Sequence, residues 1–317
     1  MTSPSRAQRS LLDPDRANHP SSLLGSSRPL YETDLGAAYA GDSLALMGEL
    51  PDASVKLVVT SPPYALHFKK EYGNVDKADY VDWFVAFARE IKRILTEDGS
   101  FVLNIGGSYN PGEPTRSLYH FKLLIRLCDD LGFHLAQECF WYNPAKLPAP
   151  AEWVNVRRIR IKDSVEYVWW LSPSPWPDAD NRGVLVPYSD DMERLLKRGY
   201  RAKKRPSGHN ITAKFNRDHG GSIPANLIER GNNESNSEYI KACRQHGVKV
   251  HPARFPSALP EFFVQLLTEP GELVLDPFAG SNTTGRVAED QGRAWLAMEV
   301  EEDYLRASGL RFGMDLF

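Results

Sequence analysis

A chain of 317 residues that is 42% hydrophobic can bury the core of one large α/β domain with an insertion, or of two domains. No apolar run reaches membrane-spanning length and the start lacks a charged–apolar–small leader pattern, so a soluble, cytoplasmic protein is expected, and a formal charge of −3 is unpromising for a DNA binder until it is resolved along the chain. Cys128, Cys139 and Cys243 are odd in number and lack CxxC spacing, which suggests neither a disulfide framework nor a zinc site, and no metal is expected.

Residues 1–30 are rich in Ser, Pro and Arg and read as a mobile tail with Leu23-Leu24 as its apolar anchor. Residues 37–42 read as a short strand ending in Asp42, and 43–50 as a helix that Asp42 can cap. Then comes Val55-Lys56-Leu57-Val58-Val59-Thr60-Ser61-Pro62-Pro63-Tyr64. Its first half is β-branched and apolar, as a strand covered on both faces requires. Pro62 and Pro63 cannot donate to a sheet ladder, so pairing ends at Ser61. The result is a rigid loop at the carboxyl end of a strand, carrying a hydroxyl, two aimed carbonyls and the aromatic face of Tyr64. Such a loop suits the exocyclic amine of a nucleobase, whose lone pair is delocalised into its ring. Acceptors on the two amine protons favour the pyramidal nitrogen that can attack an electrophile. An aromatic face can stack on a base taken out of its duplex. The plain alternative is a proline-rich turn after a core strand.

Residues 66–74 are polar and basic and read as a mobile lid over the base, with Lys69 and Lys70 facing nucleic acid. A helix is predicted over 79–96, with Val81, Phe84, Val85, Ala88, Ile91 and Leu95 on one face, closed by Gly99, and a strand over 100–105. A second helix is predicted over 117–131, with Leu118, Phe121, Leu124, Ile125, Cys128 and Leu131 as its core face. Residues 135–142 and 165–171 read as a hairpin pair at the sheet edge, with a basic cluster of Arg157, Arg158, Arg160 and Lys162 between them.

From 173 to 250 the α/β rhythm breaks, with one plausible helix over 190–197. From Arg194 to Arg217 there are nine Lys/Arg and no Asp/Glu, whereas from Ser257 to Asp303 there are ten Asp/Glu and two Lys/Arg. Such segregation is how a nearly neutral protein presents a basic groove; the alternative is a solvated helix face. Ser257 is expected to cap a helix with Pro260 in its first turn. Leu273-Val274-Leu275-Asp276-Pro277-Phe278-Ala279-Gly280-Ser281-Asn282-Thr283-Thr284-Gly285 follows: a buried strand, a Gly-rich turn and the start of a helix, the mechanical core of a nucleotide-type cofactor site. The strand over 294–299 ends in Glu299, an acceptor for two ribose hydroxyls.

Thr60–Tyr64 followed far downstream by Asp276–Thr284 resembles the S-adenosylmethionine-dependent DNA amino-methyltransferases of restriction–modification systems. Ser before the prolines resembles the cytosine-N4 branch, and the order of the two motifs resembles the permuted β group. The likeness runs from about Gly41 to Arg311 and includes Arg205-Pro206-Ser207-Gly208-His209 and His251-Pro252-Ala253-Arg254-Phe255-Pro256. It implies a Rossmann-like class I methyltransferase fold: a mostly parallel seven-stranded sheet with helices on both faces, plus an inserted target-recognition region. The expected divisions are a tail (1–30), a catalytic half (31–172), a target-recognition region (173–250) and a cofactor-binding half (251–317). Expected catalytic residues are Ser61, Pro62, Pro63 and Tyr64. Expected cofactor contacts are Asp42, Phe255, Pro256, Asp276, Phe278, Gly280, Ser281, Asn282, Thr283, Thr284 and Glu299. Expected DNA contacts are Lys69, Lys70, Arg201, Lys203, Lys204, Arg205, His209, Lys214 and Arg217.

The implied activity is methyl transfer from S-adenosylmethionine to the N4 amine of cytosine, flipped out of a short self-complementary site in duplex DNA. The product cofactor is S-adenosylhomocysteine, and no obligatory protein partner is evident. No cysteine follows a proline, which argues against the Pro-Cys nucleophile of cytosine-C5 methylation. Adenine-N6 methylation and a non-catalytic DNA-binding relative stay open. The sequence departs from the family at three places. Asn282 stands where most members carry Gly, Tyr64 replaces a Phe of the nearest branch, and Asn104 replaces an Asp there. An Asn amide can orient a group but is a very weak base.

Overall fold

The computed structural model describes residues 19–65, 79–199, 217–232 and 237–317. In chain order its strands are β1 (Tyr31–Glu32), β2 (Gly36–Ala40), β3 (Val55–Thr60), β4 (Leu95–Ile105), β5 (Ser108–Tyr109), β6 (Arg116–Ser117), β7 (His134–Tyr142), β8 (Val165–Ser172), β9 (Leu227–Glu229), β10 (Leu273–Asp276) and β11 (Ala294–Glu299). The α-helices are α1 (Ser43–Glu49), α2 (Tyr80–Ile94), α3 (Tyr119–Asp129), α4 (Asp190–Arg198), α5 (Glu238–Gln245), α6 (Ala258–Leu267), α7 (Thr283–Asp290) and α8 (Glu302–Ser308).

One sheet runs β1-β2-β11-β10-β3-β4-β8-β7-β9. Its seven inner strands are the expected sheet: β2, β11, β10, β3 and β4 are parallel, and β8 runs antiparallel between β4 and β7. Two short strands extend it to nine, β1 antiparallel to β2 and β9 parallel to β7. The β7–β8 hairpin is therefore not the edge, because Leu227–Glu229 returns to pair with Phe140–Tyr142.

Alternating side chains of the central strands feed two cores. Val58, Phe101, Leu103 and Leu275 face α1, α2 and α3, whereas Leu57, Val59, Val102 and Val274 face α6, α7 and α8. Burial on both faces is why β3 and β10 read as unbroken apolar runs. Because α2, which follows β3, and α7, which follows β10, lie on opposite faces, the sheet opens between β3 and β10 at their carboxyl ends. That is where open α/β sheets bind ligands. At the other end of β3, Lys56 is buried and pairs with Asp98 at 2.8 Å and Asp178 at 3.2 Å.

Several expectations change. Helix α2 ends at Ile94, and the sheet resumes at once: Leu95 pairs with Val55 ahead of a bulge, so Gly99 lies within β4 rather than closing a helix. On α3 the core face is rotated from the expected one. Tyr119, Leu123 and Leu127 are buried; of the expected residues Leu124, Cys128 and Leu131 pack partly buried against the core, whereas Leu118 (57% exposed), Phe121 and Ile125 (57%) face outward. The apolar residues surround this helix, so spacing alone did not choose a face. Ser257 makes no capping bond with its side chain. The tail is fastened from His19 onward: Nε2 lies 3.2 Å from the Thr33 carbonyl, and the Ser26 and Ser27 hydroxyls donate to Glu49.

Within 173–250, helix α4 falls where expected and α5 was not foreseen. Much of the described part is tied to the sheet domain. Asp180 donates its amide to the Leu266 carbonyl, β9 joins the sheet, and Tyr239, Ile240 and Cys243 of α5 pack on Ala307 of α8.

Candidate active site

Strand β3 stops at Thr60 and the two prolines carry the chain out of the sheet. Pro62 is buried, and Ser61, Pro63 and Tyr64 are half-buried. The Tyr64 ring lies on Gly106, just past the end of β4; a Cβ there would fall 2.4 Å from it, so only glycine lets the ring in.

The polar atoms of this loop form one network. Ser61 Oγ donates to Asn104 Oδ1 at 3.2 Å and lies 3.3 Å from Tyr64 Oη. Tyr64 Oη is 3.2 Å from the same amide oxygen and donates to Glu166 Oε2 at 2.7 Å. Asn104 Nδ2 donates to the Tyr167 carbonyl at 3.1 Å, which turns the amide so that its oxygen faces both hydroxyls. Lys146 Nζ donates to Glu166 Oε1 at 2.9 Å. Burial first, and then the Glu166 charge, push the Tyr64 phenol well above its ordinary range, so it keeps its proton and donates.

A second network joins this loop to the Gly-rich turn. Asp276, fully buried at the end of β10, accepts from Thr60 Oγ1 and Thr284 Oγ1 at 2.7 Å each and from the Phe278 amide at 3.1 Å. One carboxylate therefore pins the last residue of β3, the turn and the first residues of α7. Burial raises its pKa to about 6 against those three donors. Gly280 (φ +52°) and Asn282 (φ +50°) make the turn left-handed at two places. Asn282 holds that strained backbone with its side chain, accepting from the Gly285 amide at 3.0 Å and donating to Tyr31 Oη at 2.9 Å. Arg311 clamps the turn from outside, donating to the Ser281 carbonyl at 2.6 Å, Ser281 Oγ at 3.1 Å and Thr283 Oγ1 at 3.2 Å, while stacking on Tyr239 at 4.2 Å.

At the end of β11, Glu299 accepts from the Gly280 amide at 2.7 Å and the Glu301 amide at 3.0 Å, one bond to each oxygen. Burial raises its pKa and the two amides oppose this. Asp42, at the end of neighbouring β2, is exposed and caps α1 through the Leu44 amide at 2.8 Å. Phe278 is half-buried among Trp83, Phe84 and Phe87 of α2, with the Phe87 ring centroid at 4.9 Å. Pro256 is buried and Phe255 packs on the second core. The His251 ring, whose pKa burial lowers to about 4, covers Gly280.

The structure thus brings Ser61–Tyr64 and the 276–284 turn together. Ser281, Asn282, Thr283 and Thr284 are buried and bonded within the protein, so their side chains build the turn, and its Gly280 amide reaches Glu299. Among the expected DNA contacts Arg217 is exposed; Lys69, Lys70, Arg201, Lys203, Lys204, Arg205, His209 and Lys214 lie outside the described residues. In the second basic cluster Arg157 pairs with Glu152, Arg160 stacks on Tyr109, and Lys162 donates to the Pro144 carbonyl.

Sequence reasoning missed Glu166, Lys146 and Arg311. Glu166 carried a signal, as the one charged residue of an otherwise uncharged strand, Val165–Ser172. Lys146 and Arg311 carried none, because their partners are 20 or more residues away in the chain.

A family model described as DNA methylase, of the N6/N4 type, matches residues 55–309. The Type II methyltransferase M.PvuII of Proteus hauseri is 52% identical over 288 residues, covering 90% of this chain and 86% of that protein. M.ScaI of Streptomyces caespitosus is 29% identical, covering 88% of this chain and 81% of its own. A solved structure of a PvuII DNA methyltransferase, described as cytosine-N4-specific, superposes with a TM-score of 0.75 at 46% identity, covering 90% of this chain and 89% of that one.

Proposed function

The chain belongs to the N6/N4 DNA methylase family, and on that premise we propose that it methylates the N4 amine of cytosine in duplex DNA, as the modification enzyme of a restriction–modification system or an orphan relative. The observation that carries this reading is the Thr60–Asp276 hydrogen bond, which holds a Ser-Pro-Pro-Tyr loop beside a left-handed Gly280 turn.

The donor set fits S-adenosylmethionine. Glu299 keeps a lone pair on each oxygen for ribose hydroxyls, Asp42 offers an exposed acceptor for the adenine amine, and the Gly280 turn allows close approach of backbone. Phe255, Pro256 and Phe278 supply apolar walls for the adenine and methionine ends, and Asp276, Ser281, Asn282, Thr283 and Thr284 hold the turn in shape. When bound, the cofactor supplies a methyl group on a positively charged sulfur and leaves as S-adenosylhomocysteine.

The chain's own residues do the rest. Ser61 Oγ and the carbonyls around Pro62 hold the amine protons and draw the nitrogen lone pair out of the ring, while the Tyr64 ring stacks on a flipped base. Residues 173–250 read the target and Lys69, Lys70, Arg201, Lys203, Lys204, Arg205, His209, Lys214 and Arg217 meet the DNA, at a short self-complementary site. No helix of the described residues is long and apolar enough to cross a membrane. The place of action is the cytoplasm, on the host's DNA.

The test is transfer of labelled methyl from S-adenosylmethionine to duplex DNA, followed by nucleoside mass analysis. N4-methylcytosine is the expected product. N6-methyladenine alone would reassign the base, and no transfer would leave a DNA-binding relative.

A further inference from the structure

Methylation leaves the amine with one proton too many, and the loop that holds it has no base of its own. Serine is not basic. The Asn104 amide turns its oxygen to Ser61 and is itself a very weak base. The nearest carboxylate joined to Ser61 by hydrogen bonds is Glu166, one hydroxyl away: Ser61 Oγ to Tyr64 Oη is 3.3 Å, and Tyr64 Oη to Glu166 Oε2 is 2.7 Å. We propose that Glu166 is the proton acceptor of the reaction, acting on Ser61 through the Tyr64 hydroxyl. This rests on the reading that Ser61 holds the amine.

The protons balance along the path. After methyl transfer the amine nitrogen bears a methyl group, two protons and a positive charge. It gives one proton to Ser61 Oγ. The Ser61 hydroxyl turns from Asn104 Oδ1 to Tyr64 Oη and passes its own proton there, and Tyr64 passes its own to Glu166 Oε2. The base ends neutral, both hydroxyls are restored, and Glu166 is protonated until water takes the proton.

The surroundings are arranged for this. Lys146 Nζ donates to Oε1 at 2.9 Å, which fixes the carboxylate with Oε2 turned to the Tyr64 hydroxyl. Glu166 keeps 15% side-chain exposure, enough to release a proton to solvent. The other charged or titratable groups that face it are Tyr64, Tyr119 of α3 and, beyond Tyr119, Arg116 of β6 with its partner Asp163. Tyr119 is itself held between the Gly106 carbonyl and the Ala65 amide, so it orients the loop and is not a link in the path. Tyrosine at position 64 therefore does what phenylalanine cannot: it connects the loop to a carboxylate on β8. Glu166 and the Tyr64 hydroxyl are positioning residues, since both act through Ser61.

The experiment is single-turnover methyl transfer to duplex DNA by Glu166→Gln, Tyr64→Phe, the double variant and Ser61→Ala, each across pH. Glu166→Gln is expected to lower the rate on the order of 10²-fold, the low end for a proton-transfer group, with the cofactor and DNA concentrations for half-maximal rate unchanged. The wild-type rate should fall at acid pH, and Glu166→Gln should lose that limb. Tyr64→Phe should lose it too, and the double variant should be no slower than the slower single. If Glu166→Gln retains the acid limb, or the two losses multiply, the proposal is wrong. Ser61→Ala separates the two readings. If it keeps the wild-type rate, the amine is not held at Ser61. If it is inactive while Glu166→Gln is wild type, only the Glu166 step falls.

Discussion

Gly106 leaves no room for a methyl group beneath the Tyr64 ring, and that absence fixes where the ring can lie. Gly106→Ala is expected to displace the ring and cut the methyl-transfer rate about 10²-fold, the scale of a misplacement near 1 Å, while the melting temperature moves by only a few degrees. A normal rate with a cleanly folded variant would show that the ring position does not matter. Asn104 lies at the same crossing of forces. Placing a carboxylate there, 3.2 Å from Ser61 Oγ, gives the serine an acceptor that bypasses the tyrosine. Asn104→Asp added to Tyr64→Phe should therefore recover most of the rate lost by Tyr64→Phe alone, measured in the same single-turnover assay.

At the scale of elements, two side chains hold the turn between β10 and α7. Arg311 reaches three acceptors with one planar fork, so Arg311→Ala should weaken S-adenosylmethionine binding by calorimetry and destabilise the fold by about 1.5–3 kcal/mol, the range for bonds made by a charged donor. Arg311→Lys should not rescue it, because an ammonium lacks the fork. Asp276 makes a prediction in pH. Its folded pKa is raised to about 6, so between about pH 4 and 6 the folded protein holds a proton that an ordinary unfolded aspartate has released. This carboxyl therefore adds stability as pH falls through that window. Denaturation of Asp276→Asn should show that slope removed, along with a loss of about 1–3 kcal/mol from the donor it leaves unpaired.

These elements differ in how legible they were. The strands β3, β10 and β11 and the two loops after them were readable, because burial on both faces and the Pro and Gly breaks are local signals. The buried face of α3 was not, since apolar residues surround that helix and only its neighbours decide which ones are covered. Strand β9 is three residues long and is a strand only because Phe140–Tyr142 offers a free ladder. Glu166, Lys146 and Arg311 act through tertiary contacts, which no spacing rule reaches.

At the scale of the molecule, acid and base are set apart along the chain: the 194–217 stretch is basic and the 257–303 stretch acidic. Most protein–DNA contacts go to phosphates. Removing the charges of Lys203, Lys204 and Arg205 should weaken binding to every duplex alike and lower the salt dependence by about one per lost phosphate contact. Substituting His209, Lys214 or Arg217 should instead erode discrimination between the true site and single-base variants, by about 1–3 kcal/mol for a good bidentate contact. Binding isotherms across salt and sequence distinguish the two groups. An unchanged salt slope for the first group would move the backbone clamp elsewhere.

The strand order has a further consequence, for synthesis on the ribosome. Strands β2 and β3 follow one another in the chain, yet β11 and β10 lie between them. Everything made before residue 273 leaves a two-strand gap in the middle of the sheet, with Thr60 lacking the carboxylate that anchors it. Translation order runs against assembly order. The nascent protein cannot close its site until β10 and β11 have emerged, and its half-sheets stay open to chaperones and proteases until then. A chain stopped at Gly271 should be digested at the rate of an unfolded polypeptide, and adding residues 272–317 as a separate peptide should slow that digestion.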